Sequence, residues 1–217
     1  MTGRPETQDQ QKALLGRRIL LGITGSIAAY KSAVLARELI KRGAEVKVVM
    51  TPSSIDFITP LTLATLVGSP VHSDFTENKD SGEWTNHVEL GLWGDLYLVA
   101  PCTAATISAF VNGTCSNLLQ AVFLSSRCPV AIAPAMDLDM YTNKATQANL
   151  KTLSERGVQI IDPQTGALAS GLEGKGRMEE PEEIANFIEK YFTKELPFAG
   201  KKILVTAGPT EEAIDAV

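Results

Sequence analysis

Residues 17–31 read RRILLGITGSIAAYK, and this stretch decides the fold. The apolar run Ile19-Leu20-Leu21 predicts a buried strand, and a turn containing Gly22 and Gly25 leads directly into a helical pattern. Such a turn aims unpaired helical N–H groups at one point, with the positive end of the helix dipole behind them. A phosphate fits there, but every α/β protein has strand-to-helix turns, and the glycine spacing is not the G-x-G-x-x-G of dinucleotide sites.

The residues after this turn extend the pattern into a parallel unit. One face of the predicted helix carries Ile27, Tyr30, Val34, Leu35 and Leu39, and Gly43 ends the helix. The β-branched run at residues 46–50 predicts a second strand. Strand, helix and strand in this order form the right-handed unit of a doubly wound sheet. The residues that follow the second strand, 51–53, lie at its carboxyl end, where ligands of such sheets bind.

The rest of the chain continues the alternation of strands and helices. Strands are predicted at residues 95–100, 129–133 and 158–161, the first two ending at Pro101 and Pro134. Helices are predicted at residues 58–67, 103–111, 116–126 and 143–156, and from Pro181 onward. Residues 73–86 are polar and aperiodic and predict a loop. Residues 162–178 hold four glycines without periodicity, which is typical of a mobile flap or of disorder.

Composition limits the classes of function. A net charge of −5 over 217 residues argues against a nucleic-acid partner. No apolar run reaches the roughly 20 residues of a membrane span, and the first residues lack the apolar core of a signal peptide. The three cysteines, Cys102, Cys115 and Cys128, show neither metal-ligand spacing nor a disulfide framework. We therefore expect no metal, no membrane partner and a cytoplasmic location.

Three segments follow from these patterns. Residues 1–15 are expected to be a disordered N-terminal tail, and residues 16–195 to be the main domain. Residues 201–209 (KKILVTAGP) repeat the basic, apolar and glycine pattern of the opening stretch. Residues 196–217 are therefore expected to be a linker and the first strand of a second α/β domain whose remainder is absent.

Three predicted strand ends carry unusual sequence, at residues 22–26, 101–106 and 134–141. Because carboxyl ends of parallel strands share one edge of a sheet, we expect them to face one crevice. The small and hydroxylated residues after Pro101 suit a flat ligand, although Thr103 also suits a simple helix N-cap. His87 stands at a loop-to-helix junction, where a general acid–base residue or a plain surface histidine both fit. His72 is interpreted as a surface histidine.

Five motifs, in order along the chain, carry a resemblance to a known family. They are GITGSIAAYK at residues 22–31, Asn86-His87, PCTAAT at 101–106, PAMDLDMY at 134–141 and GLEGKGRM at 171–178. From Arg18 to about Tyr191 the chain resembles the flavin-containing cysteine decarboxylases, closest to the decarboxylase domain of the bifunctional coenzyme A biosynthesis proteins. Residues 200–215 (GKKILVTAGPTEEAID) are similar to the start of the phosphopantothenate–cysteine ligase domain of those proteins; ligase activity is not expected from a chain truncated there.

The resemblance implies a fold, a cofactor and a reaction. The fold is a flavodoxin-like (Rossmann-like) doubly wound parallel sheet that binds FMN. The reaction is decarboxylation of 4′-phosphopantothenoylcysteine to 4′-phosphopantetheine in coenzyme A biosynthesis. In this family, FMN oxidises the cysteine thiol side of the substrate to a thioaldehyde, and carbon dioxide then leaves. In this family FMN and substrate lie between the subunits of a homotrimer, often assembled into a dodecamer.

The resemblance also implies roles for individual residues. Cofactor binding is expected from Gly25, Ser26, Ile27, Thr51, Phe57, Cys102, Thr103, Ala104, Ala105 and Thr106, with the phosphate at Gly25, Ser26 and Thr51. Substrate binding is expected from Pro134, Ala135, Met136, Asp137 and Met140. The implied catalytic residues are His87, as the acid–base residue, and Ser170.

Four positions depart from the family pattern. Asp137 stands where the substrate clamp commonly has Asn, Ala105 replaces the asparagine of the PASANT motif, and Ala109 replaces a lysine. Ser170 occupies the position of a flap cysteine that helps to reduce the enethiol intermediate, and serine is a much weaker acid than cysteine. Three alternatives therefore stay open: a non-catalytic flavoprotein, a plain nucleotide-binding module, and a related flavin prenyltransferase, for which no basic cluster suited to a prenyl phosphate is evident.

Overall fold

The computed structural model describes residues 12–78, 83–194 and residue 204. In this part of the chain, six parallel strands form the central sheet in the order β3-β2-β1-β6-β7-β8. They are β1 (Arg18–Ile23), β2 (Glu45–Met50), β3 (Val71–His72), β6 (Leu96–Cys102), β7 (Val130–Pro134) and β8 (Gln159–Ile160). The chain leaves β1 toward one edge and returns through β6 toward the other, so the sheet is doubly wound with its switch point between these two strands. The predicted α/β fold class is confirmed.

Helices cover both faces of the sheet. They are α1 (Lys31–Lys41), α2 (Pro60–Val67), α3 (His87–Trp93), α4 (Ala104–Asn112), α5 (Leu118–Ser125), α6 (Leu138–Thr142), α7 (Lys144–Glu155) and α8 (Pro181–Lys194). One core cluster joins the sheet to α1, α2 and α8 through side chains such as Leu35, Leu63 and Ile184. The other joins it to α3, α4, α5 and α7, through side chains such as Ile107 and Leu119.

The apolar face predicted for the first helix is divided between core and surface. Leu35 and Leu39 are fully buried, whereas Ile27, Tyr30 and Val34 are 61%, 56% and 51% exposed. Residues 27–30 form a 3₁₀ turn ahead of α1. Because a 3₁₀ turn has three residues per turn rather than 3.6, its side chains rotate out of line with those of the following helix. Ile27 and Tyr30, together with Val34 of α1 itself, form an exposed apolar strip at the start of α1.

The prediction that Pro101 ends its strand is wrong, because β6 continues through Cys102. Proline has no N–H to donate to a sheet, and the pairing of β6 with β7 is accordingly irregular between Val99 and Cys102. The Pro101 carbonyl remains bonded, since it accepts a hydrogen bond of 2.8 Å from Thr24 Oγ1. The strand thus carries its last residues up to the edge where β1 ends.

The two predicted loops are also wrong in part, because each contains an antiparallel ribbon. One pairs β4 (Thr76–Asn78) with β5 (Glu83–Trp84), and the other pairs β9 (Gln164–Ala167) with β10 (Glu173–Arg177). Two glycines of β10 allow close docking on the segment after β7: Gly174 packs against the Leu138 side chain and Gly176 against the Met136 carbonyl. These glycines therefore reflect close backbone approach rather than irregular structure.

The predicted terminal segments lie largely outside the described residues. Residues 1–11 of the expected tail are not described, and of residues 196–217 only Leu204 is. The division into a tail, a main domain at 16–195 and the start of a second domain therefore stays a prediction. Within residues 12–78 and 83–194, every helix is too short or too polar to span a bilayer.

Candidate active site

The switch point of the sheet is joined by one buried hydroxyl. Thr24 follows β1 and is 1% exposed. Its Oγ1 donates to the Pro101 carbonyl at 2.8 Å and accepts from the Thr103 amide at 3.1 Å. Thr24 therefore sets the distance between the first turn and the N-terminus of α4, which are the two edges of the crevice expected at a switch point.

A cleft of about 300 Å³ opens at this crevice, and its lining is rich in hydroxyl groups. Thr51 Oγ1 and Ser53 Oγ lie 3.2 Å apart, as do Thr103 Oγ1 and Thr106 Oγ1. Gly25 faces Ser53 so closely that a Cβ at position 25 would collide with it. The lining residues carry no formal charge: they are Thr24, Gly25, Thr51, Pro52, Ser53, Thr103, Ala105, Thr106, Ser116, Asn117 and Gln120. Hydroxyl donors at strand ends and helix N-termini suit an anion such as a phosphate.

Ser116, Asn117 and Gln120 were not predicted to line the site. Asn117 Oδ1 accepts from the Gln120 amide at 3.0 Å, and Gln120 Oε1 accepts from the Ser116 amide at 2.7 Å. This reciprocal arrangement resembles a capping box at the start of α5. The sequence signal was an Asn followed three residues later by Gln at the start of an apolar run.

A second cavity, of about 500 Å³, is lined by the next residues of the opening turn, from Ser26 onward. Its walls come from three places: the start of α1, the segment after β7 and the β9–β10 hairpin. The Met136 amide donates to the Gly176 carbonyl at 3.0 Å, which fastens the hairpin to the segment after β7. The lining residues are Ser26, Ile27, Ala28, Tyr30, Lys31, Ala135, Met136, Asp137, Ala167, Leu168, Ala169, Arg177 and Met178.

Charged groups border the second cavity. Lys31 Nζ donates to Glu180 Oε1 at 2.9 Å, and Arg177 donates to the same oxygen at 2.9 Å. The hydrogen bond from Lys31, reinforced by the positive charges of Lys31 and Arg177, lowers the pKa of Glu180 below its usual value. The Asp137 carboxylate caps α6 by accepting from the Leu138 amide at 2.6 Å. Two cations and two carboxylates thus stand in or beside this cavity.

The structure brings most of the predicted binding residues to one of these two spaces. Gly25, Thr51, Thr103, Ala105 and Thr106 line the smaller cleft. Ser26, Ile27, Ala135, Met136 and Asp137 line the larger cavity.

The other predicted binding residues line neither space. Cys102 is fully buried in the core, and burial raises the pKa of its thiol. Pro134 is buried at the end of β7, and Ala104 begins α4. Phe57 and Met140 are exposed on the surface.

Ser170, which was predicted to be catalytic, is exposed at the tip of the β9–β10 hairpin. Its Oγ accepts a 3.4 Å hydrogen bond from the Leu172 amide.

His87 lies apart from both spaces. It is the first residue of α3, whose N-terminus is capped by Asn86 Oδ1 through the amides of Val88 and Glu89 at 3.1 and 3.2 Å. The imidazole stands edge-on to the rings of Phe75 and Trp84, with centroid distances of 6.2 and 6.0 Å. Its Nδ1 is buried and has no hydrogen-bond partner among the described residues. His87 is therefore held at the N-terminus of α3 with two aromatic rings beside its imidazole.

Known proteins resemble this chain over most of its length. The family model named Flavoprotein matches residues 7–193. The coenzyme A biosynthesis bifunctional protein CoaBC of Vibrio vulnificus (strain YJ016) is 48% identical over 206 residues, which are 95% of this chain and 51% of that protein. A cysteine/cysteine sulfinic acid decarboxylase of an unknown prokaryotic organism is 54% identical over 164 residues, covering 74% of this chain and 45% of that protein. The chain thus spans about half the length of these curated relatives.

A solved structure agrees with the fold. A PPC decarboxylase mutant complexed with pantothenoylaminoethenethiol has a TM-score of 0.72 and 33% identity, covering 81% of this chain and 98% of the other. This match confirms the flavodoxin-like sheet expected from the resemblance. Because the family model spans nearly all of the described residues, the chain belongs to the Flavoprotein family.

Proposed function

We propose that this chain binds FMN and decarboxylates 4′-phosphopantothenoylcysteine to 4′-phosphopantetheine, a step of coenzyme A biosynthesis. One observation carries the proposal: consecutive residues of the opening turn line two spaces, an uncharged cleft rich in hydroxyl groups and a larger cavity that is also lined by the β9–β10 hairpin. The first suits a cofactor phosphate and the second a substrate. The names of the relatives support the choice of substrate, since one is a bifunctional coenzyme A biosynthesis protein and another is a PPC decarboxylase.

The residues around the cleft fit FMN. Gly25 leaves open the space that a Cβ would fill against Ser53, and the hydroxyls of Thr51 and Ser53 face each other there. These groups would hold the phosphate, while Thr103, Ala105 and Thr106 would lie along the flavin ring. When bound, FMN supplies the two-electron redox chemistry on the substrate thiol that amino-acid side chains lack.

The protein's own residues bind and orient the substrate. Lys31 and Arg177 share the Glu180 carboxylate, so two cations held in place border the larger cavity, and such cations attract a substrate carboxylate. Met136 and Asp137 line the same cavity. His87 is the acid–base residue that exchanges a proton with the substrate, and Ser170 at the hairpin tip is a weak proton donor in the last step.

A homotrimer, assembled further into a dodecamer, explains the position of His87. Within one chain His87 lines neither cavity, and its neighbours Trp84 and Val88 are exposed apolar residues. The strip of Ile27, Tyr30 and Val34 beside the larger cavity is also exposed and apolar. Exposed apolar patches of this kind mark interaction sites. A neighbouring copy that covers this strip would bring its own His87 to the cavity. The three free cysteines support the cytoplasm as location.

A second candidate substrate is free cysteine or cysteine sulfinic acid. The relative with 54% identity is named for decarboxylation of both. Asp137 favours this candidate, because a carboxylate in the cavity attracts the free ammonium group of an amino acid. Phosphopantothenoylcysteine has that nitrogen in a neutral amide.

Two measurements on the purified protein test these proposals. The first is the visible absorption spectrum, which we expect to show bound flavin. The second is release of carbon dioxide from phosphopantothenoylcysteine, cysteine and cysteine sulfinic acid, and we expect the first substrate to be preferred. Bound flavin without release of carbon dioxide from any of the three substrates would indicate a non-catalytic flavoprotein. A requirement for a prenyl phosphate would indicate a prenyltransferase, and absence of flavin would leave a nucleotide-binding module.

A further inference from the structure

Lys31 is a charged side chain buried inside the fold. It is 4% exposed and begins α1, directly after the opening turn. A buried ammonium group is costly unless it is paired and hydrogen-bonded. Its Nζ donates to the Met178 carbonyl at 3.0 Å and to Glu180 Oε1 at 2.9 Å. Both partners lie within three residues of the end of β10, so Lys31 links the start of α1 to the end of the hairpin.

The same carboxylate oxygen also holds the hairpin itself. Arg177, the last residue of β10, donates to Glu180 Oε1 at 2.9 Å. Arg177 and Lys31 both line the larger cavity. Glu180 therefore links a cation from the opening helix to a cation from the hairpin, and the Met178 carbonyl adds a bond to the backbone between them.

We propose that Lys31 is a positioning residue for substrate binding: through Glu180 and Met178 it fixes Arg177 and the stem of the β9–β10 hairpin as one wall of the larger cavity. Lys31 itself does not react with the substrate. The inference rests on the proposed function for the identity of that substrate. A lysine that served stability alone would change unfolding throughout the domain and leave substrate binding intact.

The test compares Lys31→Met with the wild type as flavin-bound holoenzymes. Methionine has a similar length but no charge. We expect the hairpin amides of residues 164–177 to exchange hydrogen faster, while those of β1 stay protected. We expect the KM for phosphopantothenoylcysteine to rise about tenfold with kcat and bound flavin unchanged, since a hydrogen bond to a charged group contributes on that order.

Arg42→Met is the matched control. Arg42 also joins α1 to a distant part of the chain, through a 3.1 Å ion pair with Glu189. It stands at the opposite end of α1 and lines neither cavity of the site. We expect Arg42→Met to leave both KM and hairpin exchange at wild-type values.

A second variant covers the case in which Lys31→Met does not fold. Glu180 is 40% exposed in its side chain, so Glu180→Gln is tolerated more easily. Glu180→Gln is expected to raise both the KM and the rate of hairpin exchange, as Lys31→Met does. The double variant is expected to show little more than the effect of Lys31→Met alone. Wild-type KM and hairpin exchange in Glu180→Gln, or additive effects in the double variant, would overturn the proposal.

Hydrogen exchange separates this inference from the proposed function. If the wild type released no carbon dioxide, the proposed function would fail, but the hairpin would still exchange faster in the variants. If the wild type were active and the hairpin exchanged normally in Lys31→Met and Glu180→Gln, only the role of Lys31 would fail.

Discussion

The hydroxyl of Thr24 donates a hydrogen bond of 2.8 Å to the carbonyl of Pro101 across the switch point of the sheet. The same oxygen accepts a bond from the Thr103 amide. One side chain thus joins the opening turn to the strand end that carries the expected flavin-binding residues. The two halves of the crevice are held together by a polar contact that is shielded from water.

Replacement of Thr24 by valine tests this connection. Thr24→Val keeps the shape of the side chain but leaves the Thr103 amide without its partner. We expect the free energy of unfolding to fall by about 1–3 kcal/mol, with weaker flavin binding. Urea unfolding and flavin titration measure both. Thr152→Val is the control, because Thr152 makes a similar 3.0 Å bond to a carbonyl on an exposed helix surface; equal losses in both variants would contradict this role.

His87→Asn tests the acid–base assignment. We expect decarboxylation to fall by at least about 100-fold, which is the lower range for loss of a general acid–base group. The flavin spectrum should not change, because the proposed place of His87 is beside the substrate in the larger cavity of a neighbouring copy, whereas the cofactor phosphate is proposed to lie in the smaller cleft. His72→Asn, at the edge strand β3, serves as the control for loss of a histidine. Normal turnover by His87→Asn would rule out the assigned role.

Asp137→Asn distinguishes the two candidate substrates. Asparagine caps a helix as well as aspartate does, so α6 should be retained. We expect the KM for phosphopantothenoylcysteine to fall by about threefold to tenfold, since one partly screened charge repulsion is removed. For free cysteine the KM should rise, because an attraction for its ammonium group is lost. Steady-state kinetics with both substrates measure the change, and shifts in the reverse directions would contradict the proposed place of Asp137.

Gly176→Ala tests how the hairpin docks. Gly176 has a φ of +154° and lies against the Met136 carbonyl, so an added Cβ would force the hairpin away. We expect a loss of about 1–3 kcal/mol in the free energy of unfolding together with a higher KM. Gly171→Ala is the matched control, since Gly171 has a φ of +87° but nothing within 4 Å of its Cβ position. A loss no greater at Gly176 than at Gly171 would mean that backbone strain alone is measured.

The Arg18–Asp95 ion pair makes the stability of the fold depend on pH. Arg18 binds both carboxylate oxygens of Asp95, with an ion pair of 2.8 Å. The side-chain hydrogen bond from Arg18 lowers the pKa of Asp95 below its usual value. A carboxyl with a lowered pKa in the folded state stabilises the fold above its unfolded pKa of about 3.9, and this contribution is lost as pH falls through the folded pKa.

Urea midpoints measured from pH 6 downward test this dependence. We expect the wild type to lose stability more steeply in acid than Asp95→Asn, which lacks the titrating group. Parallel curves for the two proteins would show that other carboxylates govern acid unfolding.

Local patterns in the sequence were sufficient for most of the architecture. The apolar run at residues 19–21, the glycine turn and the helical spacing after it are all local, and they predicted a parallel doubly wound sheet correctly. The wrong predictions concern long-range pairing. Pro101 stays within a strand because the next residue, Cys102, pairs again with Pro134 of β7. Residues 164–177 form a hairpin whose glycines dock on Met136 and Leu138.

The candidate site divides in the same way. The sequence alone determined the family motifs and the turn at Gly25 that suits a phosphate, because these depend on residues close together in the chain. Only the tertiary structure showed that Lys31, Asp137 and Arg177 border one cavity and that His87 does not. The physical reason is that the conformation of the opening turn depends on residues that are neighbours in the chain, whereas the larger cavity exists only where distant segments pack against that turn.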